Sequence, residues 1–199
     1  MRFKVLAAGL MASIAFLAVA GCGPDSATPP VGTTSAAPTT PTSEIASPLD
    51  VSKFAADICS GLTDVQLAPY MAAIDTKDPQ AGANGPICTF NPKDPLGPST
   101  TIGIQNIAAP TQESLYESLT NFPWRQKIAP IASYPSVNSS ASDSPSKGDC
   151  ETAVSVNAKQ FLYIQFSDTN SSDSNYTKPC TVSNALMAEL IQGIQAGGA

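Results

Sequence analysis

Five cysteines and the complete lack of histidine bound the chemistry open to this chain of 199 residues. Cys22 stands alone near the start, and Cys59, Cys88, Cys150 and Cys180 are spread over the remainder. In an exported chain an even set of cysteines reads as two disulfides, although four cysteines admit three pairings. Their spacing favours Cys59–Cys88 and Cys150–Cys180, each closing a loop of about 30 residues, nominally about 3 to 4 kcal/mol of unfolded-state entropy before strain. Zinc is the competing use of four thiols, but there is no CxxC pair and no histidine to complete a ligand set. The same two absences leave no ion-paired thiolate and no redox dithiol, and they remove Ser-His-Asp hydrolysis.

The other reactive side chains form no motif. GLTD and GPICTF carry glycine without the spacing of a phosphate loop, and no acidic run has the period of a calcium loop. Asp149 and Glu151 straddle Cys150 and read as solvated charges beside a bridge. Trp124, Tyr134 and Tyr163 are candidates to line a cleft for a sugar, a lipid or a peptidoglycan fragment. In the plainer alternative Trp124 fills an end of the core and the tyrosines pack with their hydroxyls in water. No cofactor and no metal is called for.

The N-terminal segment decides where the chain resides. Arg2 and Lys4 precede an uncharged apolar run from Val5 to Cys22, the make-up of a secretory signal, with no basic stop-transfer cluster behind it. Its last four residues, Val19-Ala20-Gly21-Cys22, resemble the lipobox of bacterial lipoproteins. That resemblance implies diacylglyceryl transfer to the Cys22 thiol, cleavage after Gly21 and anchoring by more than one acyl chain, which is enough for stable attachment. Removing residues 1–21 takes away two basic residues and no acid, leaving eight basic against 16 acidic residues and a formal charge of −8. Such acidity argues against nucleic-acid binding and against attraction to anionic headgroups.

Residues 22–48 carry the candidate lipid and then a Pro/Thr/Ser-rich linker, too poor in apolar side chains to offset the entropy of ordering. Proline stiffens this spacer, and Thr33, Thr34, Thr39, Thr40 and Thr42 are candidate O-glycosylation sites. Residues 49–199 form the folded part. Helices are expected over VSKFAADIC, from Thr63 with its Thr63/Gln66 capping box, from Thr111 to Phe122, and over TVSNALMAELIQGIQ. Strands are expected at ICTF and TIGIQNIA, with a hairpin in CETAVSVNAKQFLYIQFSD turning at Asn157–Lys159. DTKDPQAGANGP and NSSASDSPSKGD read as exposed turns, and KIAPIASYPSV as a strand or an extended arm. Without regular β-α-β alternation the expectation is an α+β domain of two layers, an antiparallel sheet with helices against one face.

The ordered set of Asp57-Ile-Cys-Ser-Gly-Leu-Thr63, ICTF, Gly148-Asp-Cys150 before an apolar strand, and Cys180 opening the last helix resembles the actinobacterial lipoproteins that carry domain of unknown function 3558. Ile58 and Phe90 stand where members commonly have proline and tryptophan. The resemblance implies a place on the extracytoplasmic face of a Gram-positive-type membrane and transfers no catalytic residue. The functional expectation is a tethered binding or accessory module for an envelope lipid, glycan or protein. A passive structural envelope protein is the alternative, followed by a hydrolase working without histidine.

Overall fold

The computed structural model describes residues 45–197; the predicted signal segment, Cys22 and the predicted linker up to residue 44 lie outside the described residues. The chain enters along the domain surface and is held at once: Ile45, Leu49 and Val51 are buried, and Leu49 N–H donates to the Val156 carbonyl at 2.8 Å. Two short helices follow, α1 (Ser52–Ala56) and α2 (Asp64–Leu67), with a 3-10 turn at Ile58–Ser60 between them. Both are shorter than their sequences predict. Thr63 and Gln66 do form the capping box, but α2 ends just before Pro69, whose ring cannot continue an interior turn.

Seven strands make one antiparallel sheet: β1 (Ile74–Gly82), β2 (Gly85–Pro92), β3 (Ser99–Gln105), β4 (Trp124–Ile131), β5 (Tyr134–Ser140), β6 (Asp149–Asn157) and β7 (Gln160–Ser167). Their spatial order is β1-β2-β3-β7-β6-β5-β4. The β6–β7 hairpin predicted from its alternation thus lies near the middle of the sheet. On β7, Leu162, Ile164 and Phe166 face one side, while Phe161, Tyr163 and Gln165 face the other.

Three strands run where turns or an uncertain arm are predicted. β1 occupies the turn-rich stretch at Asp75–Gly82, and its residues are almost all exposed. An edge strand needs no buried apolar alternation, and Pro79 costs it no inward hydrogen bond. β4 and β5 form a hairpin through Ala132 and Ser133, both at positive φ, a turn without the usual glycine or asparagine signal. All of β5 is buried, including Asn138, Ser139 and Ser140 from the stretch read as a loop. Hydrogen bonding makes that burial tolerable: Thr152 Oγ1 donates to Asn138 Oδ1 at 3.0 Å, and Ser140 Oγ to Asp149 Oδ2 at 3.1 Å.

The helices do not share one face. The long α4 (Pro179–Gln195) sets Val182, Leu186, Leu190 and Ile194 against Val154, Val156, Leu162 and Ile164, with Phe54, Leu62 and Leu67 beside them. The seven-residue α3 (Gln112–Ser118) lies on the opposite side, where Leu115 and the following Leu119 cover Val137, Ala153 and Phe161. The expected two-layer α+β arrangement is therefore corrected to a mostly β domain, its antiparallel sheet covered unequally on both faces. Disulfides join Cys59 to Cys88 and Cys150 to Cys180, tying the 3-10 turn to β2 and α4 to β6.

Candidate functional site

The face under α3 carries a row of polar side chains that crosses the sheet. In register, Thr89, Thr101, Gln165, Glu151, Ser139 and Arg125 lie side by side on six successive strands. Facing side chains on neighbouring strands are the pairs that interact in a sheet. Thr89 and Thr101 share a hydroxyl contact at 3.1 Å, and Ser139 Oγ approaches Glu151 Oε1 at 3.5 Å. Gln165 instead turns its amide to Asp149 Oδ1, at 2.9 Å.

Asp149 and Glu151, two residues apart on the same side of β6, have very different surroundings. Asp149 is well served: besides Gln165 it accepts from Ser140 Oγ and from Ala141 N–H at 2.8 Å. Glu151 is 8% exposed, and the long contact from Ser139 is the sole hydrogen bond to its carboxyl group among the described residues. Burial, then the neighbouring Asp149 charge, raise its pKa from 4.5 to about 7, with only Ser139 opposing. The sequence reading of Glu151 as a solvated charge beside a bridge is corrected: the side chain faces inward, into a cleft.

That cleft, about 410 Å³, lies between the sheet and the segments around α3. Its volume falls in the range of small-molecule sites, about 300 to 1,000 Å³. Glu151, Gln165, Tyr163 and Phe161 come from the sheet, Gln105 from the end of β3, and Ser118, Leu119, Asn121 and Phe122 from the end of α3 and beyond. Thr111 positions the helix, capping it through the Ser114 N–H at 3.1 Å. Arg125 Nη1 holds it from below by donating to the Tyr116 carbonyl at 3.1 Å, and Lys127 pairs with Glu113.

Tyr163 owes its place to Gly103 directly across on β3. A Cβ at residue 103 would stand 2.4 Å from the Tyr163 ring, so the ring lies over the glycine backbone. A glycine inside a strand marks such a close approach, and TIGIQ contains that signal. Burial and the Glu151 charge raise the phenol to about 12, against a hydrogen bond with Gln105, so its hydroxyl stays protonated over the ordinary pH range.

The three aromatic candidates do not meet. Tyr163 lines the cleft; Tyr134 is buried on the α4 face and donates its hydroxyl to the Ser47 carbonyl at 3.1 Å. Trp124 begins the edge strand β4, and its cross-strand partner Ser140 places it on the Cys150 side of the sheet. Sequence reasoning missed Glu151, Gln105 and Gln165 because alternation shows which residues share a face without showing that a second cover lies over it.

These features define a disulfide-bridged antiparallel domain with a polar, small-molecule-sized cleft beside α3. The chain belongs to the family described as protein of unknown function (DUF3558), whose model matches residues 17–193. No curated protein and no solved structure matches it.

Proposed function

We propose that the protein is a lipid-anchored binding module of the cell envelope, attached through Cys22 on the extracytoplasmic face of the membrane, with the Glu151–Tyr163 cleft as its ligand site. The carrying observation is Glu151, a buried carboxyl group that faces a cleft with a single long hydrogen bond among the described residues. A buried polar group left so poorly paired costs stability, and a ligand supplies the missing partners. Ile45, Leu49 and Val51 belong to the apolar core on the α4 face, opposite the cleft.

Catalysis is the weaker reading. Acid–base work on a glycosidic bond needs two carboxyl groups converging on the substrate, and Asp149 is engaged by three donors and does not line the cleft. A passive envelope protein would have no use for an under-paired Glu151.

The test uses the full-length protein extracted in detergent from its own membranes. Intact mass should show cleavage before Cys22 with added acyl mass, and Cys22→Ala should abolish both the added mass and the cleavage. Hydrogen exchange in the presence of separated envelope lipids, glycans and proteins should slow around residues 103–107, 118–122 and 161–165. Protection confined to other surfaces, or none with any fraction, would overturn the assignment of the site.

A further inference from the structure

The side chains around the cleft define the chemistry of what fits it, given that it is a ligand site. Four are carboxamides, Asn84, Gln105, Asn121 and Gln165, each able to donate and accept. Ser118 and Tyr163 add hydroxyl groups, and Glu151 adds a carboxyl. No lysine or arginine lines the cleft. The cations nearest in register, Arg125 and Lys127, are already engaged with the Tyr116 carbonyl and Glu113, and both sit against the Tyr116 ring. A phosphate, a carboxylate or a phospholipid headgroup would thus enter without a counter-charge and meet Glu151, with Asp149 behind it. Burying an unpaired charge in that way is strongly unfavourable.

The remaining wall is apolar: Ile107, Leu119, Phe122 and Phe161, with the Tyr163 ring held over Gly103. Carboxamides that pair with both lone pairs and protons of a hydroxyl group, set beside aromatic surface for a C–H face, complement a sugar ring. We propose that this cleft binds an uncharged polyhydroxylated ligand, a saccharide unit, held by the carboxamides, Tyr163 and Glu151 and laid against the Phe122 and Phe161 wall. The inference rests on the cleft being the ligand site and narrows it to one chemical class. An amine would also be drawn to Glu151, but it would use few of the carboxamides.

The experiment titrates the full-length protein in detergent micelles with three matched sets of probes. These are neutral hexoses, N-acetylhexosamines and their disaccharides; the corresponding amino sugars; and the corresponding sugar phosphates. Ligand-observed NMR reports binding, and hydrogen exchange reports the place. A neutral sugar should bind and protect residues 103–107, 118–122 and 161–165. Asn121→Ala and Tyr163→Phe should each weaken it several-fold to about tenfold, as expected for one lost hydrogen bond, with unchanged thermal unfolding as the check on folding. Asn121 is exposed at the rim, so its variant tests the idea even if Tyr163→Phe unfolds. Protection of the cleft by amino sugars alone, abolished in Glu151→Gln, would keep the site and overturn the ligand class. Tighter binding of sugar phosphates at the cleft would do the same. Failure of all three sets to protect the cleft overturns the proposal, and the envelope-fraction experiment then decides whether the site itself stands.

Discussion

The two faces of the sheet solve the same problem with different materials. On one, the 17-residue α4 closes a continuous apolar core against β6 and β7. The hydroxyl groups at its centre are paired: Thr152 Oγ1 lies 2.7 Å from Ser183 Oγ and 2.8 Å from Asn184 Oδ1, while Glu189 Oε2 on α4 is buried without a hydrogen-bond partner among the described residues. On the other face the seven-residue α3 covers only a small cluster, and the row containing Gln165 and Glu151 passes out from under it. Both disulfides tie elements to the α4 side of the sheet; Cys88 belongs to that core and Cys150 reaches α4 itself. Stability is thus concentrated on one face, which leaves the other free to hold an under-paired carboxyl group and an open cleft. Binding surfaces are commonly drawn from the less stable part of a fold.

The comparison breaks first at two fully buried leucines, Leu186 on α4 and Leu115 on α3. Leu186→Ala should cost about 3 to 5 kcal/mol, because the surrounding core is closed and a cavity must remain. Leu115→Ala should fall nearer 2 kcal/mol, since its small cluster borders a cleft and can settle. Denaturant unfolding of both variants measures the difference, and equal losses would remove the proposed asymmetry.

The disulfides come next. Their cysteines are separated by 29 and 30 positions, so replacing either pair by serine should lower stability by about 3 kcal/mol on the chain-entropy account. Non-reducing peptide mapping should recover 59–88 and 150–180 as the linked pairs. Exchange in the Cys150→Ser/Cys180→Ser variant should rise along α4 more than along α3.

Glu151 gives an effect of opposite sign. Unfolded, it loses its proton near pH 4.5; folded, it keeps it to about 7. Its contribution therefore favours the fold below pH 4.5, declines as pH rises to about 7, and is level above. The interval corresponds to about 3 kcal/mol. Glu151→Gln should raise stability by about 2 to 3 kcal/mol at pH 8 and change it little at pH 4, read from denaturant midpoints at both. A destabilised variant at pH 8 would show that the carboxylate is better paired than its one long hydrogen bond indicates.

The smallest effect is at the surface of the α3 face. Lys127 and Glu113 are both substantially exposed, so Lys127→Met should change stability by less than about 1 kcal/mol. A larger loss in thermal unfolding would mean that α3 is pinned chiefly by charge and not by Leu115 and Leu119.

Local pattern alone settles a good part of this protein. Two apolar-rich segments, Ala153–Val156 and Phe161–Phe166, on either side of a turn at Asn157–Lys159 specify the β6–β7 hairpin, because side-chain direction in a strand has a period of two whatever lies above it. The apolar spacing from Val182 to Ile194 specifies α4, and the threonine caps at 63 and 111 specify where two helices begin, since these signals act within a few residues. The Asp57–Thr63 motif with the three later cysteines is enough to point to the family. Tertiary structure decided the rest. β1 and β5 are strands because neighbours supply their hydrogen bonds, and β5 buries serine and asparagine only because distant side chains pair with them. α3 lies opposite α4 because the chain crosses the sheet between β3 and β4, which no local window contains. Glu151 follows from the same cause: the sequence places it on the Ala153 side of β6, but its burial comes from tertiary packing, and the cleft it faces is walled by Leu119, Phe122 and Tyr163 from other parts of the chain.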